Sequence, residues 1–194
     1  MGKFAELRAI FAARGWSVIL FNAYADVDEG TESYLENAAL KARALYRQLQ
    51  SAGIEAHVIG DDSGLEVRAL GNRPGVLSAR YGGDASWAQR RAHLLAELKD
   101  ATDRRARFVC ALHFIDSQGQ EISVRAELDG VIARQERGKG GFSYDAIFSE
   151  VADGPTFAEI TEAAKNNRSH RARAADSLLE AVRANEAKSD VGGT

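Results

Sequence analysis

A single cysteine in 194 residues leaves no partner for an internal disulfide and points to a reducing compartment. That residue, Cys110, lies inside the strand-like run FVCALHFI, which suits a small buried apolar role better than a nucleophilic one. Charge of one sign is also missing. The formal net charge is -3, so no polyanion-binding surface is expected. Long apolar runs are absent: VILF at 18–21 is among the longest and is far too short to span a bilayer. Residues 1–15 carry charges throughout and do not read as a signal peptide. The four histidines, at 57, 93, 113 and 170, lack metal-ligand spacing, which argues against zinc. There is no internal repeat and no low-complexity block. What is present is a 45% hydrophobic fraction, ample for the core of one domain over residues 1–184. The polar, Gly-ended tail at 185–194 is expected to be disordered. The whole reads as a soluble cytoplasmic protein.

Periodicity predicts the elements. Residues 3–14 read as a helix, with Phe4, Leu7, Ile10 and Phe11 at helical spacing and Gly15 as its stop. WSVILF at 16–21 reads as a buried strand. Residues 31–50 read as a long helix whose apolar stripe runs through Leu35, Ala38, Ala42 and Leu49, ended by Gly53. IEAHVIG at 54–60 is the next strand, and 85–99 the next helix, with Trp87, Leu94, Leu95 and Leu98 as core candidates. RFVCALHFI and EISVRAELDGVIA are joined by DSQG and read as an antiparallel hairpin. A last helix covers 169–184. Early alternation and a late hairpin predict an α/β chain with a mixed sheet.

Four stretches could carry chemistry, and each has a plain reading beside the functional one. Glu36, Asn37 and Lys41 lie off the apolar stripe of the long helix. They form either a solvated face or a group in which Glu36 helps hold a divalent cation while Lys41 reaches an anion. Asp61 and Asp62 follow a strand and precede Ser63 and Gly64. They either cap a turn or mark a tight exposed loop at a strand's C-terminal end, where ligands bind in open α/β sheets. RGKGGFSYDAIF at 137–148 is neither a Walker A loop nor a dinucleotide fingerprint. It is a turn into a half-buried strand, or a place where Phe142 or Tyr144 stacks on a base and Asp145 accepts from base N–H groups. Finally, Lys165, Arg168, His170, Arg171 and Arg173 crowd Ser169, a candidate N-cap. Cations there oppose the helix dipole, so this is a solvated basic face or an anion site.

Together these words resemble the inosine/xanthosine triphosphate pyrophosphatases. The matching segments are ENAALKA at 36–42, DDSGLEV..LG..PGVLSARYGG at 61–83, GKGGFSYDAIF at 138–148, and the Lys165 and Ser169–His170–Arg171 run. They occur in the family's order and cover about residues 3–182. The resemblance implies an elongated two-lobed α/β fold with a central mixed sheet flanked by helices, a nucleotide cleft between lobes, and a homodimer. It implies Mg²⁺-dependent hydrolysis of deaminated purine nucleoside triphosphates to monophosphate and pyrophosphate, cleansing the nucleotide pool. By position, Glu36 and Asp62 correspond to metal ligands and Asp62 also to the catalytic base. Lys3, Lys41 and Lys165 correspond to triphosphate contacts and Ser63 to a substrate contact. Phe142, Ser143, Tyr144, Asp145, His170 and Arg171 correspond to the base pocket.

The match has departures. It begins at MGKFAEL, so the family's opening strand and Thr/Ser-x-Asn loop fall before it, and the sheet is expected to expose an edge. Ser143 stands where the family has Gly, and Ala146 where it has Pro. A β-carbon at 143 strains the backbone if φ is positive there. The alternative is therefore a truncated, weakly active or inactive nucleotide-binding relative. A third reading is a pyrophosphatase for other modified nucleotides.

Overall fold

The computed structural model describes residues 2–21, 27 and 29–191. Its elements run α1 (Lys3–Ala12), α2 (Tyr34–Ser51), β1 (Val58–Val67), β2 (Pro74–Gly75), α3 (Trp87–Glu97), β3 (Arg105–Ile115), β4 (Glu121–Ile132), β5 (Phe148–Ser149), α4 (Glu162–Asn166) and α5 (His170–Val191). The strands form one sheet in the order β2-β1-β3-β4-β5. The expected α/β architecture, a central sheet flanked by helices, is present. All ladders among the described residues are antiparallel. β3 and β4 form the expected hairpin, closed by Asp116, whose carboxylate accepts from the N–H groups of Gln118 and Gln120.

Strand alternation assigns the two faces. On one, α2 lays Ala38 and Ala42 against β1 and β3. Alanines suit this contact because the backbones approach closely: a β-carbon on Gly60 would drive into the Ala38 carbonyl and lie 2.9 Å from the Ala42 nitrogen. On the other face, α1 and α5 bury Ile10, Phe11, Leu178 and Leu179 against Cys110, Leu112 and Phe114. Further along that face a second core gathers Leu65, Leu94, Leu98, Phe108, Tyr144 and Phe157. Ser86 and Gln89 close a capping box at the start of α3.

Three expectations are corrected. Residues 16–21 form no strand, and Ile19 is 84% exposed. A strand needs a ladder partner, and the edge of β1 over 58–64 pairs with no strand among the described residues; an apolar pocket of about 220 Å³, lined by Phe4, Leu7, Val18 and Ile59, lies here instead. β1 begins later than 54 and runs straight through Asp61 and Asp62, which are paired with Leu112 and Ala111 rather than exposed on a loop. α5 continues through 185–191, past the expected end at Ala184, because nothing in NEAKSDV breaks a helix before Gly192. Residues 192–194 of the expected tail lie outside the described residues. Among the described residues no helix is long and apolar enough to cross a membrane.

Candidate active site

The acidic pair does not sit side by side. Adjacent residues of a strand point to opposite faces, so β1 sends Asp61 to the α1/α5 side and Asp62 to the α2 side. That geometry reduces the repulsion that two neighbouring carboxylates would otherwise suffer.

On the α2 side, Asp62 is 4% exposed. It accepts from Lys41 Nζ at 3.2 Å and Asn37 Nδ2 at 3.3 Å, residues one turn apart on α2. Burial pushes the Asp62 carboxyl upward, and Lys41 and Lys3 offset this only in part, so it titrates above the ordinary aspartate value. Burial pulls Lys41 down, but Asp62 and Glu29 more than compensate. Glu29 meets Lys41 at 2.9 Å, and Arg80 approaches the other oxygen of Glu29 at 3.8 Å.

Glu36 is exposed at the start of α2, and no hydrogen bond or ion pair among the described residues joins it to Asp62. Nor does any group of three His, Cys, Asp or Glu that could hold a metal converge among the described residues. Mg²⁺ does not demand such a cage, because it keeps waters and substrate oxygens. Asp62 fits as a buried carboxylate ligand, and the Asn37 Oδ1 beside it is buried without a partner among the described residues. Glu36 stands one residue before Asn37 in the first turn of α2, with its side chain exposed.

On the opposite side a pocket of about 280 Å³ opens where the two cores meet, just under the range for ligand sites of roughly 300–1,000 Å³. Lys3, Ser63, Phe142, Ser143, Tyr144, Asp145, His170 and Arg171 all line it. Lys3 pairs with Asp61 at 2.8 Å. Burial raises the Asp61 carboxyl, yet Lys3 and Arg171 hold it below its ordinary value. The Cys110 thiol donates to Asp61 at 3.3 Å; burial, then Asp61, pushes that thiol well up, so it is no nucleophile.

Arg171 donates to Ser63 Oγ at 2.7 Å and to Glu6 at 3.2 Å. Lys165 lies between Glu6 at 3.0 Å and Asp145 at 2.6 Å, and its ammonium stands 4.8 Å from the Phe142 ring. Lys165 is thus anchored at the Phe142 end of the site and not beside Lys41. Asp145 also accepts from the Phe142 N–H at 2.8 Å. This carboxylate therefore shapes the Gly-rich loop, and burial, opposed by Lys165, leaves it above its ordinary value. Gly141, at φ +67, leaves room for that carboxylate.

His170 stacks on Phe108 at 4.6 Å, and its Nδ1 is buried without a partner among the described residues. Burial first, then Arg171, Lys165 and Lys3, hold its pKa well below the ordinary value, so the imidazole is neutral. Ser169 is the expected N-cap, accepting from the Ala172 N–H at 3.2 Å. Ser143 adopts φ +56, the left-handed conformation that favours glycine. Tyr144 is fully buried: its ring meets Trp87 edge-on at 5.5 Å and its hydroxyl donates to the Ser78 carbonyl. Its ring supports the loop, and Phe142 and Trp87 are half-buried aromatics that line the pocket.

The edge of β1 between the two half-sites carries no strand partner over 58–64 among the described residues, and the pocket at that edge is lined by Lys3, Lys41 and Asp61. A ligand crossing that edge reaches Lys41 on one side and Arg171 on the other. Sequence reasoning misses Glu6, Glu29 and Arg80. Glu6 lies one turn after Lys3 on α1, which is a weak signal; the roles of Glu29 and Arg80 have none.

Comparison with known proteins agrees with this fold. A profile of the Ham1 family matches residues 1–181. The dITP/XTP pyrophosphatase of Geobacillus kaustophilus is 45% identical over 185 residues, covering 92% of this chain and 88% of that one. That of Gloeobacter violaceus is 42% identical over 178 residues, with the same coverage of 92% and 88%. Among solved structures, the Staphylococcus aureus Ham1 protein superposes with a TM-score of 0.77 at 35% identity, covering 96% of this chain and 95% of that one. A HAM1 protein from Coxiella burnetii gives 0.78 at 32% identity, covering 93% of each. A shared fold, near-complete coverage and this level of identity lead to one conclusion: the chain belongs to the Ham1 family.

Proposed function

We propose that this protein hydrolyses deaminated purine nucleoside triphosphates, dITP, ITP and XTP, to the monophosphate and pyrophosphate. The names of its relatives support the reaction. One observation carries it to this chain: Lys3, Ser63, Phe142, Asp145, His170 and Arg171 converge on one pocket, while Asp62 and Lys41 lie just across the open edge of β1. The base enters the pocket against Phe142, and the triphosphate crosses the edge toward Lys41 and Lys3.

Water attacks the α-phosphorus, and Asp62 accepts a proton from it. The bond from the α-phosphorus to its bridging oxygen breaks, and pyrophosphate leaves with that oxygen. A buried carboxylate with a raised pKa is a better base than a solvated one. Asp62, with Glu36 and the Asn37 oxygen, would hold Mg²⁺, which when bound screens the triphosphate charge. Neutral His170 is suited to donate to the 6-oxo group of hypoxanthine or xanthine. Adenine presents an amine there, leaving two donors facing each other, a mismatch that discriminates strongly. A homodimer belongs to the same proposal and rests on family resemblance; a cytoplasmic location belongs to it too and rests on the single cysteine.

The test is pyrophosphate release from dITP, XTP and dATP, with and without Mg²⁺, for the wild type and Asp62→Asn. Activity on dITP and XTP that requires Mg²⁺ and collapses in Asp62→Asn is expected. A fully active Asp62→Asn, or a chain that binds but never cleaves, refutes the assignment.

A further inference from the structure

Arg80 and Glu29 lie outside every role assigned so far. Arg80 sits on the turn after β2, directly after Ser78 and Ala79, which line the nucleoside pocket. Its guanidinium leaves that pocket behind and points across to Glu29, whose other oxygen is held by Lys41. Lys41 in turn touches Asp62. The contacts therefore form a chain, Arg80 to Glu29 to Lys41 to Asp62.

The contacts are unequal. Glu29 to Lys41 is a firm ion pair at 2.9 Å, and the Lys41 side chain is only 15% exposed. Glu29 to Arg80 is loose at 3.8 Å, beyond hydrogen-bond range, and the Arg80 side chain is 54% exposed. The Arg80 guanidinium has no other acceptor among the described residues, so its planar fork of donors is uncommitted. Lys41, by contrast, already carries two carboxylates, Glu29 and Asp62. An incoming polyphosphate meets a lysine that is fully neutralised, and like-charge repulsion from Glu29 opposes its approach.

We propose that Arg80 is a further polyphosphate-binding residue, and that Glu29 is an internal anion occupying the place between Lys41 and Arg80 that a substrate phosphate takes. Binding then exchanges one anion for another: the Glu29 carboxylate moves into solvent, and a phosphate oxygen accepts from Lys41 and bidentately from Arg80. This rests on the triphosphate reading above and adds to it a residue that grips the phosphates and a carboxylate that competes with them.

Inorganic tripolyphosphate in EDTA tests this without nucleoside, metal or catalysis. Its affinity is measured by titration calorimetry for the wild type, Glu29→Gln and Arg80→Ala, with thermal melting to confirm folding. Removing the competing charge should make Glu29→Gln bind about fivefold tighter, the size expected for a partly exposed ion pair. Arg80→Ala should bind about tenfold weaker, the size of a charge-assisted hydrogen bond. Unchanged or weaker binding in Glu29→Gln overturns the competition, and unchanged binding in Arg80→Ala overturns the role of Arg80. Pyrophosphate release from dITP by the wild type is measured alongside. If it occurs while both variants bind like the wild type, this proposal fails and the activity stands. If it does not occur while both variants behave as expected, the phosphate site stands without the activity.

Discussion

Gly60→Ala isolates how the site depends on helix–sheet spacing. Gly60 has no catalytic group, and it faces α2 from β1 at the register of His113. Its added β-carbon would overlap the Ala38 carbonyl and crowd the Ala42 nitrogen and Cβ at 2.9 and 3.0 Å. These are mostly backbone atoms, so no side-chain rotation relieves the clash; α2 and β1 must separate by about 1 Å. Overpacking of this kind costs about 1–3 kcal/mol. At about 2–4 °C per kcal/mol for a chain of this size, melting should fall by roughly 2–12 °C. The effect on activity should be larger. The same separation lifts Lys41 and Asn37 from Asp62, contacts already at 3.2 and 3.3 Å. A misplacement of about 1 Å at a reacting group costs about 10²-fold in rate. The assay is pyrophosphate release from dITP at a temperature where circular dichroism shows the variant fully folded. A variant with wild-type melting and wild-type kcat/KM would refute both the packing and the coupling of α2 to Asp62.

Other perturbations have equally definite outcomes. Ser143→Gly removes a β-carbon from a left-handed residue at φ +56, and should raise stability by about 0.5–1 kcal/mol in a denaturant melt. Arg171→Lys keeps the charge but loses the fork that reaches Ser63 and Glu6 together; KM for dITP should rise about tenfold with a smaller change in kcat. Stability should also depend on pH through His170. Its folded pKa is depressed, so the stability it contributes is present above the unfolded value of about 6.5 and is lost as pH falls below it, by up to about 1.4 kcal/mol per pH unit. His113, also lowered by burial, adds to the same slope. His170→Phe, which keeps the stack on Phe108, should flatten the melting profile between pH 6.5 and 5.

The helices were legible because their signals are local. Apolar spacing places α1, α2 and α3 to within a few residues, and the Ser169 cap marks the start of α5. The β3–β4 hairpin was equally legible from DSQG. Residues 16–21 were misread because a strand is defined by a neighbour, and apolar residues alone supply none. The Asp61–Asp62 pair reads as a loop because acids are rare inside strands; the cations that α1, α2 and α5 bring to it, Lys3, Lys41 and Arg171, make burial tolerable.

The amino-acid order alone thus determined which elements form and which side chains carry charge, because helix periodicity, caps and turns are decided over a few residues. The folded molecule decided what those charges meet. Strand alternation put the two acids on opposite faces, α1 delivered Glu6 to Lys165 and Arg171, and the open edge of β1 joined the half-sites. Such partners lie as far apart in the chain as Glu6 and Arg171. Electrostatic and hydrogen-bond energies depend on distance in space, which no local pattern in the chain records.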